Sequence, residues 1–322
     1  MKTCAALLMV AVASALAAGT PAHGAEDPPA WAYPVNPPDF QPPPDDGTLR
    51  HVPDSPFAFT LSQVRDFFFA PDWHPGDHPP MPDIVAQGRK PEVFACGFCH
   101  RADGPGGPEN ASLAGLPAPY IVQQMADFKS GARTTSVPQR VPPQLMSALA
   151  KAATAAEVEA AAAYFAGLKP KANLRVVETD LVPKTAVTGW HLAAVPTGEQ
   201  EPIGQRIIEV PEDLDRFVSR DARARFIAYV PRDSIQKGQA LVASGGEGKT
   251  VPCGVCHGPD LKGLGPIPGI AGRSPSYLVR QLYDFQQGAR AGIGSALMKA
   301  TVEKLTVDDM VSLAAYAASL TP

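Results

Sequence analysis

Two stretches of the chain carry the same five-residue pattern, Cys96-Gly97-Phe98-Cys99-His100 and Cys253-Gly254-Val255-Cys256-His257. Two thiols three positions apart, with an imidazole directly after the second, have the chemistry of covalent haem attachment. Each thiol forms a thioether to one haem vinyl group, and the histidine falls beneath the iron and ligates it through a ring nitrogen. A single copy has two other readings, a redox-active dithiol or half of a zinc site. A redox dithiol belongs in a βαβ setting, which the flanking sequence does not provide. A zinc site needs a second pair close by, and here 157 residues separate the two. Cys96, Cys99, Cys253 and Cys256, with His100 and His257, therefore predict two covalently bound haem c groups.

The surroundings repeat as well. Residues 96–133 and 253–290 align without a gap and match at 16 of 38 positions, which makes the two halves related domains rather than two chance motifs. Met146 and Met298 each lie 18 residues before a matched tyrosine, Tyr164 and Tyr316, in the stretch expected to form a loop ahead of the last helix. A methionine is usually core filling. Matched positions in both repeats instead make these two the expected sixth iron ligands, which close the coordination shell and raise the reduction potential. Met125 aligns with Leu282 and Met310 with Val158, an interchange that marks packing positions, and Met81 has no partner in the repeat. Arg133 and Arg290 directly follow the repeated helix, and their planar donor forks suit a haem propionate.

The elements that must hold these groups are helical. The blocks Tyr120 to Arg133 and Tyr277 to Arg290 read as amphipathic helices, with Tyr277, Leu278, Leu282 and Phe285 as an apolar stripe. Ser274 with Pro275 reads as a helix start and Gly288 as a stop. Thr154 with Glu157 and Thr306 with Asp309 read as capping boxes opening a second, alanine-rich helix in each repeat.

Outside the repeats, 36 prolines in 322 residues argue for long irregular connections, since the usual share is about 5%. Residues 1–24 read as an export leader, with Lys2, an apolar run from Ala5 to about Ala18, and small residues before Ala25; Cys4 precedes that run. Residues 25–82 hold 15 prolines, yet Phe57, Phe59, Phe67, Phe68, Phe69 and Trp73 need burial, so an ordered arm over the first repeat is expected, with Leu61 to Phe69 as one helix. Residues 170–232 form an insert with strands at Leu174 to Val177 and Arg206 to Val210, and partial helix from Asp213 to Ala228. The haem domains then span 83–169 and 233–322. His51, His74, His78 and His191 read as loop histidines; one replacing a methionine would give a bis-histidine iron, with His74 and His78 first in line. A net charge of −4 gives nucleic acid no electrostatic footing, and no later stretch is apolar enough for a membrane span.

The motif, the Leu113-Ala114-Gly115 and Ile270-Ala271-Gly272 stretches, the Tyr…Gln…Phe…Gly…Arg helix and the late methionine together resemble the class I cytochrome c family in its tandem dihaem bacterial form. The resemblance covers just over half the chain. It implies a mostly α fold of two tandem helical haem domains, here with a Pro-rich N-terminal arm and a mixed inter-domain insert. It also implies histidine and methionine axial ligands. A proline carbonyl after each motif is implied as acceptor from the haem histidine. Pro266 or Pro268 suits this in the second domain, whereas Pro105 and Pro108 do not align with them in the first. The expected function is a periplasmic carrier of single electrons between redox proteins (a dehydrogenase, oxidase or reductase), with the electron-transfer subunit of a dehydrogenase as one form. The enzymatic alternative, a dihaem oxidoreductase acting on peroxide or a small sulfur compound, requires one open iron site, which the paired methionines oppose. An assembly role rests only on the arm and insert. Replacing Cys96 and Cys99 together by alanine is expected to remove one haem mass from the denatured chain while the second stays attached, as read by mass spectrometry.

Overall fold

The computed structural model describes residues 27–322; the expected leader over 1–24, with Cys4, lies outside the described residues. The first repeat contains α1 (Leu61–Val64) from the arm, α2 (Asp83–Ala86), α3 (Cys96–His100), α4 (Ala118–Ser130), α5 (Val141–Ala152) and α6 (Ala155–Gly167). The insert follows as β1 (Leu174–Glu178), β2 (Leu181–Pro183), β3 (Thr185–Thr188), β4 (His191–Ala194), β5 (Gln200–Pro202), β6 (Ile208–Pro211), α7 (Leu214–Val218) and β7 (Phe226–Val230). The second repeat comprises α8 (Ser234–Ser244), α9 (Gly254–His257), the two-residue strands β8 (Gly263–Leu264) and β9 (Ile267–Pro268), α10 (Pro275–Gln286), α11 (Ser295–Val302) and α12 (Val307–Ser319).

The helix boundaries follow local chemistry. Both capping boxes form: the Thr154 hydroxyl accepts from Glu157 N while Glu157 accepts from Thr154 N, and Thr306 and Asp309 do the same. Ser274 caps α10 with Pro275 in its first turn, and Gly131 (φ 80°) ends α4 in the left-handed region. The arm helix is shorter than expected. It stops at Val64 because the Asp66 carboxylate accepts from Phe68 N at 2.8 Å, a local turn that competes with continued helix. In the insert only Leu214–Val218 is helical, since the chain then joins a sheet in the order β1-β7-β6, with β1 parallel and β6 antiparallel to β7.

Each repeat has its own apolar core. The first gathers Val85, Ala114, Leu116, Ile121, Ala162 and Phe165, with Cys96 at its margin. The second gathers Val279, Tyr283, Val302, Met310, Val311 and Ala314, with Cys253 and Met298 at its margin. Met310 is fully buried, as its alignment with Val158 requires of a packing residue. The apolar stripe expected on α10 is a broader buried face: Val279, Tyr283 and Phe285 are buried together with Ser276, Arg280 and Asp284. That helix is covered on more than one side. Tyr33 from the arm donates to Asp284 at 2.8 Å, and Glu209 on β6 accepts from Ser274 Oγ at 2.7 Å and from Ser276 N at 3.2 Å. Burial pushes the Glu209 carboxyl up, and the serine hydrogen bonds pull it back.

In the second repeat α8 crosses α12 at Gly238. A Cβ there would stand 2.0 Å from Ser312 O and 2.7 Å from Tyr316 Cβ. Gly238→Ala would gain about 1 kcal/mol of helix propensity. The clash is with helix backbone, which cannot give way cheaply, so the net change is expected to be a loss of about 1–3 kcal/mol. Denaturant unfolding should show the loss for Gly238→Ala and none for Gly167→Ala, where a Cβ would meet nothing within 4 Å.

Candidate functional site

The two attachment motifs form short helices, α3 and α9, that end at their histidines. His100 Nδ1 lies 2.8 Å from Ala111 O, and His257 Nδ1 lies 2.8 Å from Pro268 O. Each acceptor is the eleventh residue after its histidine, so the two contacts are copies of one another. Pro268 is one of the two prolines suited to this place. In the first repeat the acceptor is the carbonyl of Ala111, not Pro105 or Pro108: a backbone carbonyl is all the contact needs. A proton held on Nδ1 by the carbonyl leaves Nε2 with a free lone pair, the tautomer a metal requires. Burial lowers the pKa of both imidazoles, which keeps them neutral. Burial also pushes the Cys96 thiol up to about 12 and the Cys253 thiol to about 11, and raises Cys99.

The methionines sit in helices rather than in a loop. Met146 lies in α5, whose first turn carries Pro142 and Pro143, and Met298 lies in α11. Both are partly buried. Met298 and Cys253 flank one core cluster, while Leu149, one turn after Met146, shares a cluster with Cys96. Each methionine helix thus borders the same core cluster as the Cys-x-x-Cys-His motif of its own repeat. Next to Met298, Ile293 is 87% exposed and Leu297 74% exposed, and Leu264 after the second motif is also exposed. A flat apolar macrocycle is the kind of group such side chains would cover, so the residues present fit a haem.

Arg133 and Arg290 meet at the junction of the two repeats. Arg133 Nη2 donates to Tyr277 Oη at 3.0 Å and Gln281 Oε1 at 2.9 Å, and its Nη1 donates to Gln124 at 2.8 Å. Arg290 Nη2 donates to Tyr120 Oη at 2.8 Å and Gln124 Oε1 at 2.7 Å, and its Nη1 donates to Gln281 at 3.1 Å. The partners are aligned residues, so the exchange is reciprocal. The backbones pair in the same symmetric way, Thr134 N to Ala289 O and Ala291 N to Ala132 O, each 2.7 Å. Burial pushes the Tyr277 hydroxyl up, but the two guanidiniums outweigh it and hold the phenol below its ordinary range. Arg290 Nε keeps no hydrogen-bond partner among the described residues.

The remaining histidines have other neighbours. His74 Nε2 lies 3.1 Å from the Asp221 carboxylate. His78 has both ring nitrogens engaged, Nδ1 with Pro79 O and Tyr164 Oη and Nε2 with Asp72. His191 is buried edge-on to Phe217, and His51 is exposed. The sequence reading missed Arg220, Arg273 and Glu209, which tie the insert and the repeats together. Arg273, for example, donates to Ser112 O at 2.8 Å across the junction. None of the three belongs to the repeat pattern, so no sequence signal marked them.

No family model matches the chain. It is 28% identical over 220 residues to a thiosulfate dehydrogenase electron acceptor of Thiomonas intermedia (strain K12), covering 67% of this chain and 74% of the relative. It is 38% identical over 78 residues to cytochrome c-554(548) of Halomonas halodenitrificans, covering 24% of this chain and 94% of that protein. Cytochrome c4 of Azotobacter vinelandii is 34% identical over 87 residues, covering 25% of this chain and 41% of that protein. Among solved structures, thiosulfate dehydrogenase from Marichromatium purpuratum superposes with a TM-score of 0.50 at 28% identity, over 74% of this chain; the match spans 39% of that longer chain. The fold and motifs are those of a haem-bearing electron-transfer protein. The chain belongs to the class I cytochrome c family. It carries two covalently bound haem c groups and transfers electrons.

Arg290→Leu strips Tyr120 of its donor and Gln124 of one of its two, and a polar group left unpaired costs about 1–3 kcal/mol. The expected result is lower stability and separation of the two repeats into distinct unfolding transitions, read by calorimetry; Arg133→Leu should act in the same way.

Proposed function

We propose that Cys96 and Cys99 hold one haem and Cys253 and Cys256 the other, with His100 and Met146, and His257 and Met298, as the axial ligands of the two irons. The observation that carries this is the duplicated contact from each motif histidine to the carbonyl eleven residues on, at 2.8 Å in both repeats. It fixes the imidazole tautomer and orientation, which a merely buried histidine does not require. When bound, the haem supplies a one-electron couple at iron. The chain's residues do the rest. The cysteine thioethers would keep the group attached, His100 with Met146 and His257 with Met298 would hold the irons and leave no ligand position for a substrate, and the apolar shell would limit water access. Arg290 Nε is the donor we assign to a propionate at the junction, with Arg133 as its counterpart.

We further propose that the protein works in the periplasm and accepts electrons from a dehydrogenase. The likeness to electron acceptors of thiosulfate dehydrogenase supports a partner that oxidises a small sulfur compound. Among the described residues no helix is long and apolar enough to cross a membrane. The domain limits 83–169 and 233–322, with the arm at 25–82 and the insert at 170–232, are part of the same reading.

Met298→Ala tests the ligand assignment. The second haem should remain attached by mass, its potential should fall, and carbon monoxide should bind quickly where the parent does not. Met310→Ala should leave the haem spectrum unchanged and cost only packing, about 2–5 kcal/mol. An unchanged spectrum in Met298→Ala would mean that another residue holds the iron.

A further inference from the structure

The arm and insert close over one attachment motif and leave the other open, and the internal repeat provides the control. Phe94 aligns with Val251, Phe98 with Val255 and Cys99 with Cys256. Phe98 is 2% exposed and Val255 66% exposed. Phe94 and Cys99 are partly buried, whereas Val251 and Cys256 are exposed.

The cover over the first motif is protein. Phe67 from the arm stacks on Phe94 at 4.5 Å between centroids and packs on Phe98 at 4.7 Å. From the insert, the Arg220 guanidinium lies 3.6 Å from the Phe98 ring centre, and its Nη1 donates to Phe98 O at 2.9 Å. Arg220 Nε reaches back to Val64 O in the arm at 2.9 Å. Trp73 Nε1 donates to Ser219 O at 2.8 Å, and Arg223 grips Asp77 through two contacts of 2.8 Å. Arm and insert are therefore one clamp, joined to each other as well as to the motif. These side chains fill the space beside Phe98 and reach Cys99, which packs in the same cluster as Phe67 and Phe98.

We propose that the protein exchanges electrons with its surroundings through the second repeat's attachment edge, while the arm–insert clamp seals the first, whose haem communicates only internally across the arginine junction. The proposal rests on the attachment residues assigned above. Each encounter moves one electron between a redox partner and the second iron, with no bond made or broken. Electron tunnelling falls steeply with distance, so one intervening layer of side chains suffices to favour the uncovered edge. A partner protein meets Val251 and Val255 first.

The test is solvent access measured by NMR on the reduced two-haem protein. Haem substituent resonances are assigned through contacts to Cys96 and Cys99 or to Cys253 and Cys256, and a soluble gadolinium chelate is added. The second haem's signals should broaden several-fold more than the first's. Arg220→Ala should raise the broadening of the first toward that of the second. Equal broadening in the parent, which needs no variant to fold, would overturn the proposal, and a folded Arg220→Ala without change would overturn the clamp. A haem count by mass on the same sample separates the two failures: fewer than two haems defeats the attachment assignment, whereas two haems with equal broadening defeats only the access asymmetry.

Discussion

A guanidinium is costly to bury unless its donors are met, and this chain buries one from each repeat at the junction between them. Each repeat meets only one donor of its own arginine, through Gln124 or Gln281. Arg133 needs Tyr277 and Gln281, and Arg290 needs Tyr120 and Gln124. The repeats are therefore bound to face one another, because separating them would leave two cations and two tyrosines short of partners. The short antiparallel bridge between Arg133 and Arg290 fixes the distance as well as the orientation.

With the junction fixed, α10 becomes the central helix of the molecule. It carries Tyr277 and Gln281 to the junction and presents Arg280 and Asp284 to the arm. Its amino end is capped by Glu209 from the insert sheet, where a carboxylate complements the helix dipole. Segments outside the repeat thus hold the repeat in place. Their polar contacts converge on one helix, which accounts for the burial of several of its charged residues.

The repeats share a frame but not a covering. In the second, α8 closes the shell against α12 through Gly238. In the first, the corresponding helix α2 has only four residues, and arm aromatics with insert arginines supply the missing wall. The two repeats thus present unlike faces beside the same Cys-x-x-Cys-His pattern.

Spacing along the chain was enough to reveal the attachment motifs, the matched methionines, the capping boxes and the doubling itself, because each depends on residues close in sequence or on an offset shared by both copies. Pro268 was visible for a similar reason, whereas Ala111 was not, since a backbone carbonyl leaves no mark in residue type. Placing the methionines in helices, stopping the arm helix at Val64, and burying the polar face of α10 were outcomes of packing. So were the assignment of Arg133 and Arg290 to the junction and of Arg220 to the clamp. Each of those arginines has a partner more than 120 residues away, and no local pattern encodes which distant side chain will help satisfy a buried charge.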